Sequence, residues 1–335
     1  MEPDSQPSLL SRLEGDPFFQ DHPIEAEPLT GGVSSEILKV NHSGRTVVVK
    51  QALAQLKVEA DWRADLSRNQ YEVRYLKYVG LHFPGLVPSL IREGNGFFIM
   101  EHIGEGFSLW KPQMLAGSFC MDTARNVGLA AGRVHAHSAS DPGLLRQFDS
   151  TQNFIELRVS PYLYALRERH GEISEAITQA CHQLVDTREA LVHGDLSPKN
   201  IMVGKGRVVL LDCEVAWYGD PAFDVAFLLT HLLLKGLYRS PDCQGARDCA
   251  NAFLEGYTKI LSDQERLNLD GIMSRATILL PMILLARVDG KSPVEYLNPK
   301  QQDQVRRFCL PAISGEGSEM SDLISRWFQY CEAST

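Results

Sequence analysis

Residues 191–203 read Leu-Val-His-Gly-Asp-Leu-Ser-Pro-Lys-Asn-Ile-Met-Val, which sets Asp195 and Asn200 five positions apart. Asp212 follows Asn200 by twelve residues. Between them, residues 200–203, the Gly204-Lys205-Gly206 turn and residues 207–212 have the pattern of a β-hairpin. An antiparallel hairpin brings its two ends together, so the Asn200 amide and the Asp212 carboxylate should lie close. Such an oxygen pair suits Mg²⁺, a hard cation that takes carboxylate, amide, water and phosphate oxygens. Asp195, one loop upstream, is placed to accept a proton from a hydroxyl.

These groups need elements to hold them. Residues 34–40 alternate polar and apolar side chains, and residues 45–50 are rich in valine. With Asn41-His42-Ser43-Gly44 between them, they predict two strands within a β-rich run from 24 to about 50. The second strand ends Val47-Val48-Val49-Lys50. Residues 57–79 are charged and helical in period, which puts Glu72, Leu76 and Val79 on one face. Residues 86–91 and 96–102 read as two more strands around Arg92-Glu93-Gly94-Asn95. After Gly104-Glu105-Gly106 strand signals nearly vanish, and helical periods appear at 122–137, 154–167 and 173–190. The hairpin interrupts them, and helix resumes beyond it. The expected organisation is a lead-in over 1–24, a β-rich lobe over 25–103 and a mainly helical lobe over 104–335. This is a bilobal α+β architecture with a ligand cleft expected at the junction.

The order His193-Gly194-Asp195, Asn200, hairpin, Asp212-Cys213-Glu214, then Gly219-Asp220-Pro221 and Asp224 resembles the aminoglycoside phosphotransferase family. That family shares the protein-kinase-like fold and includes choline kinase and methylthioribose kinase. The resemblance covers roughly residues 25–235. It implies ATP and Mg²⁺ as cofactors and a small-molecule hydroxyl as phosphoryl acceptor. On that likeness Lys50, fixed by Glu72, steadies the α- and β-phosphates. Gly31, Gly32 and Ser34 belong to the phosphate-covering loop, where glycines let backbone N–H groups approach phosphate. The backbone from Glu101 to Ile103 would meet adenine, Asn200 and Asp212 would hold magnesium, and Asp195 would be the catalytic carboxylate. Glu214, Trp217 and Tyr218 follow the metal aspartate and are expected to reach the acceptor.

Lys50-Gln51-Ala52-Leu53, with Trp62 and a charged helix after it, is similar to the matching region of methylthioribose kinases. Those enzymes usually carry His-Thr-Gly-Ser where this chain has Ser197-Pro198-Lys199-Asn200. A methylthioribose-type sugar kinase and an aminoglycoside kinase are therefore sibling readings of one chemistry. A protein kinase is disfavoured, because the G-x-G-x-x-G loop, the His-Arg-Asp form and an Ala-Pro-Glu segment are missing. A non-catalytic, kinase-like nucleotide-binding module is disfavoured by the joint presence of Lys50, Asp195, Asn200 and Asp212.

Composition narrows the remaining classes. Lys and Arg total 33 against 42 Asp and Glu, a net charge of −9, which argues against a non-specific nucleic-acid binder. Seven scattered cysteines without a CxxC pair fit a reducing compartment better than a disulfide framework or structural zinc. The acidic, proline-containing start is unlike a signal peptide. The most apolar runs, 225–234 and 278–286, are too short to span a bilayer. The expectation is a cytoplasmic monomer or homodimer with neither nucleic acid nor membrane as partner. His135 and His137 read as packing or capping residues, and His193 as a residue that shapes its loop. Asp220 before Pro221 reads as a helix cap, and Asp224 as a first-turn acid able to brace the catalytic loop.

Overall fold

Three consecutive valines organise the N-terminal part of the chain. The computed structural model describes residues 9–20, 23–29, 35–53, 67–315 and 318–333, so Gly31, Gly32, Ser34 and Trp62 lie outside the described residues. The chain divides into two compact units, Met1–Glu105 and Gly106–Thr335. In the first, strands β1 (Glu25–Pro28), β2 (Ser35–His42), β3 (Arg45–Ala52), β4 (Leu90–Glu93) and β5 (Phe98–Glu101) form an antiparallel sheet in the order β1-β2-β3-β5-β4. Ser43 and Gly44 link β2 to β3 with φ of 51° and 72°, the left-handed pair that a two-residue hairpin turn requires. Side chains alternate across β3. Val47 and Val49 join Leu38, Val40, Phe97 and Ile99 in a core cluster, and Lys50 projects from the other face.

The same cluster holds Leu9, Leu13 and Phe19, which are 0–2% exposed. Leu9 and Leu13 belong to helix α1 (Leu9–Glu14). Arg12 on α1 donates to Gln51 Oε1 at 2.7 Å and to the Asn95 carbonyl. The segment expected to be a lead-in is therefore, over residues 9–19, part of this unit's core. Helix α2 (Arg68–His82) buries Glu72, Val73, Tyr75, Leu76 and Val79. The predicted stripe is there, and Glu72 lies on its buried face.

The second unit is mainly helical. Helix α3 (Trp110–Leu115) and helix α4 (Met121–Ser138) open it, and helices α5 (Ser174–Asp186), α6 (Ala222–Arg239), α7 (Gln244–Leu261), α8 (Leu269–Asp289), α9 (Pro299–Ser314) and α10 (Met320–Ala333) follow. Helices α4 and α7 cross with their backbones nearly touching. A Cβ on Gly128 would overlap the Phe253 carbonyl oxygen, and one on Gly256 the Arg125 carbonyl oxygen. The helical period expected over 154–167 is a wide π-helical stretch, Ile155–Tyr164, with Pro161 inside it. Proline lacks the N–H that a regular ladder needs, so the turns re-register around it.

Strands β6 (Ser108–Leu109), β8 (Ile201–Gly204) and β9 (Arg207–Leu210) form one small sheet. Strands β7 (Ala190–Val192) and β10 (Trp217–Gly219) form another. The helix expected over 173–190 ends at Asp186, and Ala190 already belongs to β7. Helix α8 is long and apolar enough by length and composition to cross a membrane, since regular helix continues on both sides of the 278–286 run. It packs instead against α6 and α9, with Ile272, Ala276 and residues 279–286 buried.

Candidate active site

Lys50 and Glu72 form a buried pair in the first unit. Lys50 Nζ lies 2.9 Å from Glu72 Oε1 and 2.7 Å from Oε2, and both side chains are 2% exposed. The register sets Lys50 opposite Ile37 on β2 and Phe98 on β5, so its stem is walled by the sheet. Glu101 closes β5. Its backbone N–H donates to the Ser89 carbonyl at 2.9 Å, and its carboxylate accepts from Ser89 N at 3.1 Å and Oγ at 3.0 Å. Ile103 lies just past the strand and is half-buried.

In the second unit, four side chains converge on one point. Lys199 Nζ stands 2.8 Å from Asp195 Oδ2, 3.2 Å from Asn200 Oδ1 and 3.8 Å from Asp212 Oδ2. Asn200 is oriented by its own Nδ2, which donates to the Asp195 carbonyl at 3.0 Å and so turns Oδ1 toward the shared cation position. The hairpin argument holds at the backbone too, where Leu211 N–H donates to the Asn200 carbonyl at 2.8 Å. Asp212 sits just beyond β9 with φ of 58°, an uncommon left-handed conformation for a residue other than glycine. Amide and carboxylate oxygens that already surround an ammonium are a donor set suited to a hard divalent cation.

Arg158 completes the group, and sequence reading passed over it. It comes from the π-helical stretch and is 8% exposed. Its Nε donates to the Gly194 carbonyl at 2.6 Å, and its Nη2 stands 3.0 Å from Asp195 Oδ2. Burial pushes the Asp195 carboxyl upward, but Arg158 and then Lys199 outweigh it and hold the group below the usual carboxylate range. Both cations bind Oδ2, and among the described residues Oδ1 of Asp195 has no partner. One oxygen is clamped, and the other remains able to accept a proton.

The loop that carries Asp195 is held from beneath. Asp224, in the first turn of α6, accepts from the backbone N–H of His193 at 2.8 Å and of Gly194 at 2.9 Å. Its Oδ2 also meets His135 Nε2 at 3.2 Å, and His135 Nδ1 meets the Tyr257 hydroxyl at 3.0 Å. His193 Nε2 lies 3.1 Å from the Leu211 carbonyl, and its Nδ1 accepts from Asp195 N–H at 3.2 Å. Those two bonds suit one neutral tautomer, and burial lowers the imidazole's pKa in the same sense. Gly194 has φ of 76°, and a Cβ there would stand 2.6 Å from the Val215 carbonyl oxygen. Asp224→Ala would leave two buried N–H groups unpaired. It is expected to lower stability by about 3 kcal/mol in a urea melt, with Asp224→Asn intermediate.

The residues expected to reach the acceptor divide. Glu214 is 5% exposed and lies close enough to act electrostatically on Arg158. Trp217 is fully buried, stacked on Phe154 at 4.1 Å with the Arg188 guanidinium 4.7 Å from its ring centre. Tyr218 donates its hydroxyl to the Glu189 carbonyl at 3.1 Å. Closeness in sequence to Asp212 misled here, because β10 turns both side chains into internal packing. Asp220 has a structural place. Its Oδ1 accepts from Ala222 N–H at 2.9 Å, and its carboxylate receives Arg275 Nε at 2.8 Å and Nη2 at 2.9 Å.

A family model described as the phosphotransferase enzyme family (APH) matches residues 25–260. The chain belongs to that family. Among curated relatives, the methylthioribose kinase of Yersinia enterocolitica is 24% identical over 260 residues. That match covers 68% of this chain and 64% of the relative, so the chain spans a little under two thirds of that protein's length. The methylthioribose kinase of Erwinia tasmaniensis is 26% identical over 317 residues, 79% of each chain. Among solved structures, an amicoumacin kinase in complex with AMP-PNP, Ca²⁺ and Ami aligns with a TM-score of 0.56 and 16% identity. The alignment covers 92% of this chain and 93% of that one. An aminoglycoside phosphotransferase from Alicyclobacillus acidocaldarius aligns with a TM-score of 0.53 and 13% identity over 98% of each chain. At these identities the likeness establishes the fold, the α+β kinase-like fold.

Proposed function

We propose that the protein is an ATP-dependent phosphotransferase that moves the γ-phosphoryl group to a hydroxyl of a small molecule. The observation that carries this reading is the convergence of Asp195, Asn200 and Asp212 oxygens on one cation position, with Arg158 clamping a single oxygen of Asp195. Asn200 Oδ1 and Asp212 Oδ2 would hold Mg²⁺, which when bound neutralises charge on the phosphates. Lys50, kept extended by Glu72, steadies phosphate oxygens from the first unit. The backbone near Ile103 serves the base. Asp195 Oδ1 orients the acceptor hydroxyl and takes its proton. A carboxylate this acidic is a weak base, which suits a loose transition state in which the proton leaves late. Positioning and fixed charge then supply most of the rate. Glu214 remains a candidate for acceptor contact through its place beside Arg158.

The decisive experiment is ATP turnover with Mg²⁺ against hydroxyl-bearing metabolites. The panel should span methylthioribose and other pentose derivatives, amino alcohols, choline-like amines and aminoglycosides. Methylthioribose is included because two relatives carry that substrate in their names. Magnesium-dependent transfer to one class establishes the reading. Tight nucleotide binding with no transfer to any class would favour a binding module instead. Asp212→Ala is expected to weaken magnesium-dependent AMP-PNP binding at least about tenfold, measured by calorimetry with and without the metal. An unchanged magnesium requirement would remove Asp212 from the metal site.

A further inference from the structure

One face of α6 runs from Arg158 to a group of buried cations. Phe227, His231 and Lys235 follow one another at four-residue spacing, a stripe about 12 Å long. The Arg158 guanidinium sits 5.8 Å from the Phe227 ring centre, and the His231 ring 5.1 Å from the same ring. Lys235 is 1% exposed. Its Nζ finds the His231 carbonyl at a long 3.4 Å and the Tyr296 ring at 5.3 Å. Among the described residues the buried Tyr296 hydroxyl has no hydrogen-bond partner. Arg287 on α8 reaches the Tyr162 hydroxyl and Ser292 Oγ, both at 2.9 Å, and among the described residues its buried Nε has no hydrogen-bond partner.

Among the described residues neither Lys235 nor Arg287 meets a carboxylate within 4.0 Å. Glu295, whose charge acts on Lys235, is already paired with Lys111 at 2.5 Å. A lysine needed only for packing has no cause to stand here, since residues 232–234 of the same helix are leucines. Buried ammonium groups call for a counter-charge.

We propose that Lys235, with the Tyr296 hydroxyl and Arg287 beside it, forms a subsite for an anionic group of the acceptor, a carboxylate or a phosphate monoester. The acceptor's hydroxyl is then the group presented to Asp195. This rests on the phosphotransferase reading, and it deepens that reading by disfavouring polycationic and choline-like acceptors. Burial, then Lys111 and Arg287, push Lys235 down to about 7, against the opposing pull of Glu295. His231, on the same face, is pushed well below its usual value by burial and then by Lys235 and Arg287. A bound anion reverses that bias on Lys235, so anion binding near neutral pH takes up a proton.

The test is calorimetry on the full chain saturated with AMP-PNP and Mg²⁺, so that the nucleotide's own phosphate contacts are filled. Inorganic phosphate and succinate are the two probes, each in two buffers of unequal ionisation heat. The expected result is saturable binding of at least one probe with proton uptake. Lys235→Met should lower that affinity about tenfold or more and abolish the uptake, and Tyr296→Phe should cause a smaller loss. The probe that binds tells carboxylate from phosphate. Lys235→Met removes a buried ammonium and should melt at or above the wild-type temperature, so lost binding cannot be blamed on unfolding. Equal binding by Lys235→Met and wild type, or no saturable binding of either probe at millimolar concentration, overturns the subsite. Failure of AMP-PNP to bind would instead sink the phosphotransferase reading, and the same titration on the nucleotide-free chain still decides whether Lys235 holds an anion.

Discussion

Asp195→Asn is expected to lower phosphoryl transfer by about 10³-fold while leaving AMP-PNP affinity within about twofold. The substitution keeps the side chain's volume and its place in the loop. It removes the charge that Arg158 and Lys199 neutralise and the oxygen able to take a proton. Because the loop also hangs on Asp224 and His193, its backbone should survive the change. Steady-state kinetics on the acceptor found by panel screening, with nucleotide titration in parallel, separates the two effects. Turnover close to wild type would remove Asp195 from the chemistry.

The pH dependence follows from the sign of the shift. Asp195 is held below the usual carboxylate range, so it stays ionised as pH falls through the range where ordinary carboxylates protonate. Its stabilising contribution is fully present above the unfolded-state value, about 4, and is lost as pH drops through the lower folded-state value. Wild-type turnover should therefore show no acid limb from this group between about pH 5 and 7.

Lys50→Met should cost about 3–5 kcal/mol of stability, because it leaves the Glu72 carboxylate buried without its ammonium. Replacing both members tests the cause. In Lys50→Met combined with Glu72→Gln, most of that stability should return, since two charges leave the interior together. Nucleotide binding should stay weak in both variants if Lys50 steadies the phosphates. Chemical denaturation gives the first quantity and AMP-PNP titration the second. A double variant as unstable as the single one would show that the pair is held for its shape and not its charge. A double variant that binds nucleotide as well as wild type would take Lys50 out of the site.

What the sequence revealed was local. The valine run of β3, the buried stripe of α2 and the hairpin after Asn200 repeat with periods that one strand or one helix imposes, and each is where its period placed it. Lys50 and Glu72 lie 22 residues apart, and while the period put Glu72 on the face of Leu76 and Val79, it was the family resemblance that aimed the two at each other. Arg158 had no such signal. It is one of two arginines in the 154–167 segment, and its partners Gly194 and Asp195 come 36 and 37 positions later by way of a π-helical register that no periodicity announces. Lys199 was legible only as part of the Ser-Pro-Lys-Asn run, because its role depends on three oxygens from separate turns. Trp217 and Tyr218 were misread for the opposite reason. Neighbours on a strand face opposite sides, and both sides of β10 are covered: Trp217 is fully buried against Phe154 and Tyr218 is 8% exposed. Helix α1 was missed because six residues carry too little pattern to reveal a docked face.

The crossing of α4 and α7 sets a tolerance for everything mounted on it. With no methyl group at Gly128 or Gly256, each helix rests directly on the other's carbonyl oxygens, a seat that no rotamer can adjust. The same two helices carry His135 and Tyr257, whose bond fixes one side of Asp224. Asp224 in turn suspends the His193 and Gly194 amides, and Asp195 is the next residue. The aim of that carboxylate is thus calibrated by a chain of rigid seats that begins where two side chains are missing. A slip of one helix along the other would reach Asp195 as an alignment error, with every nearer contact still made.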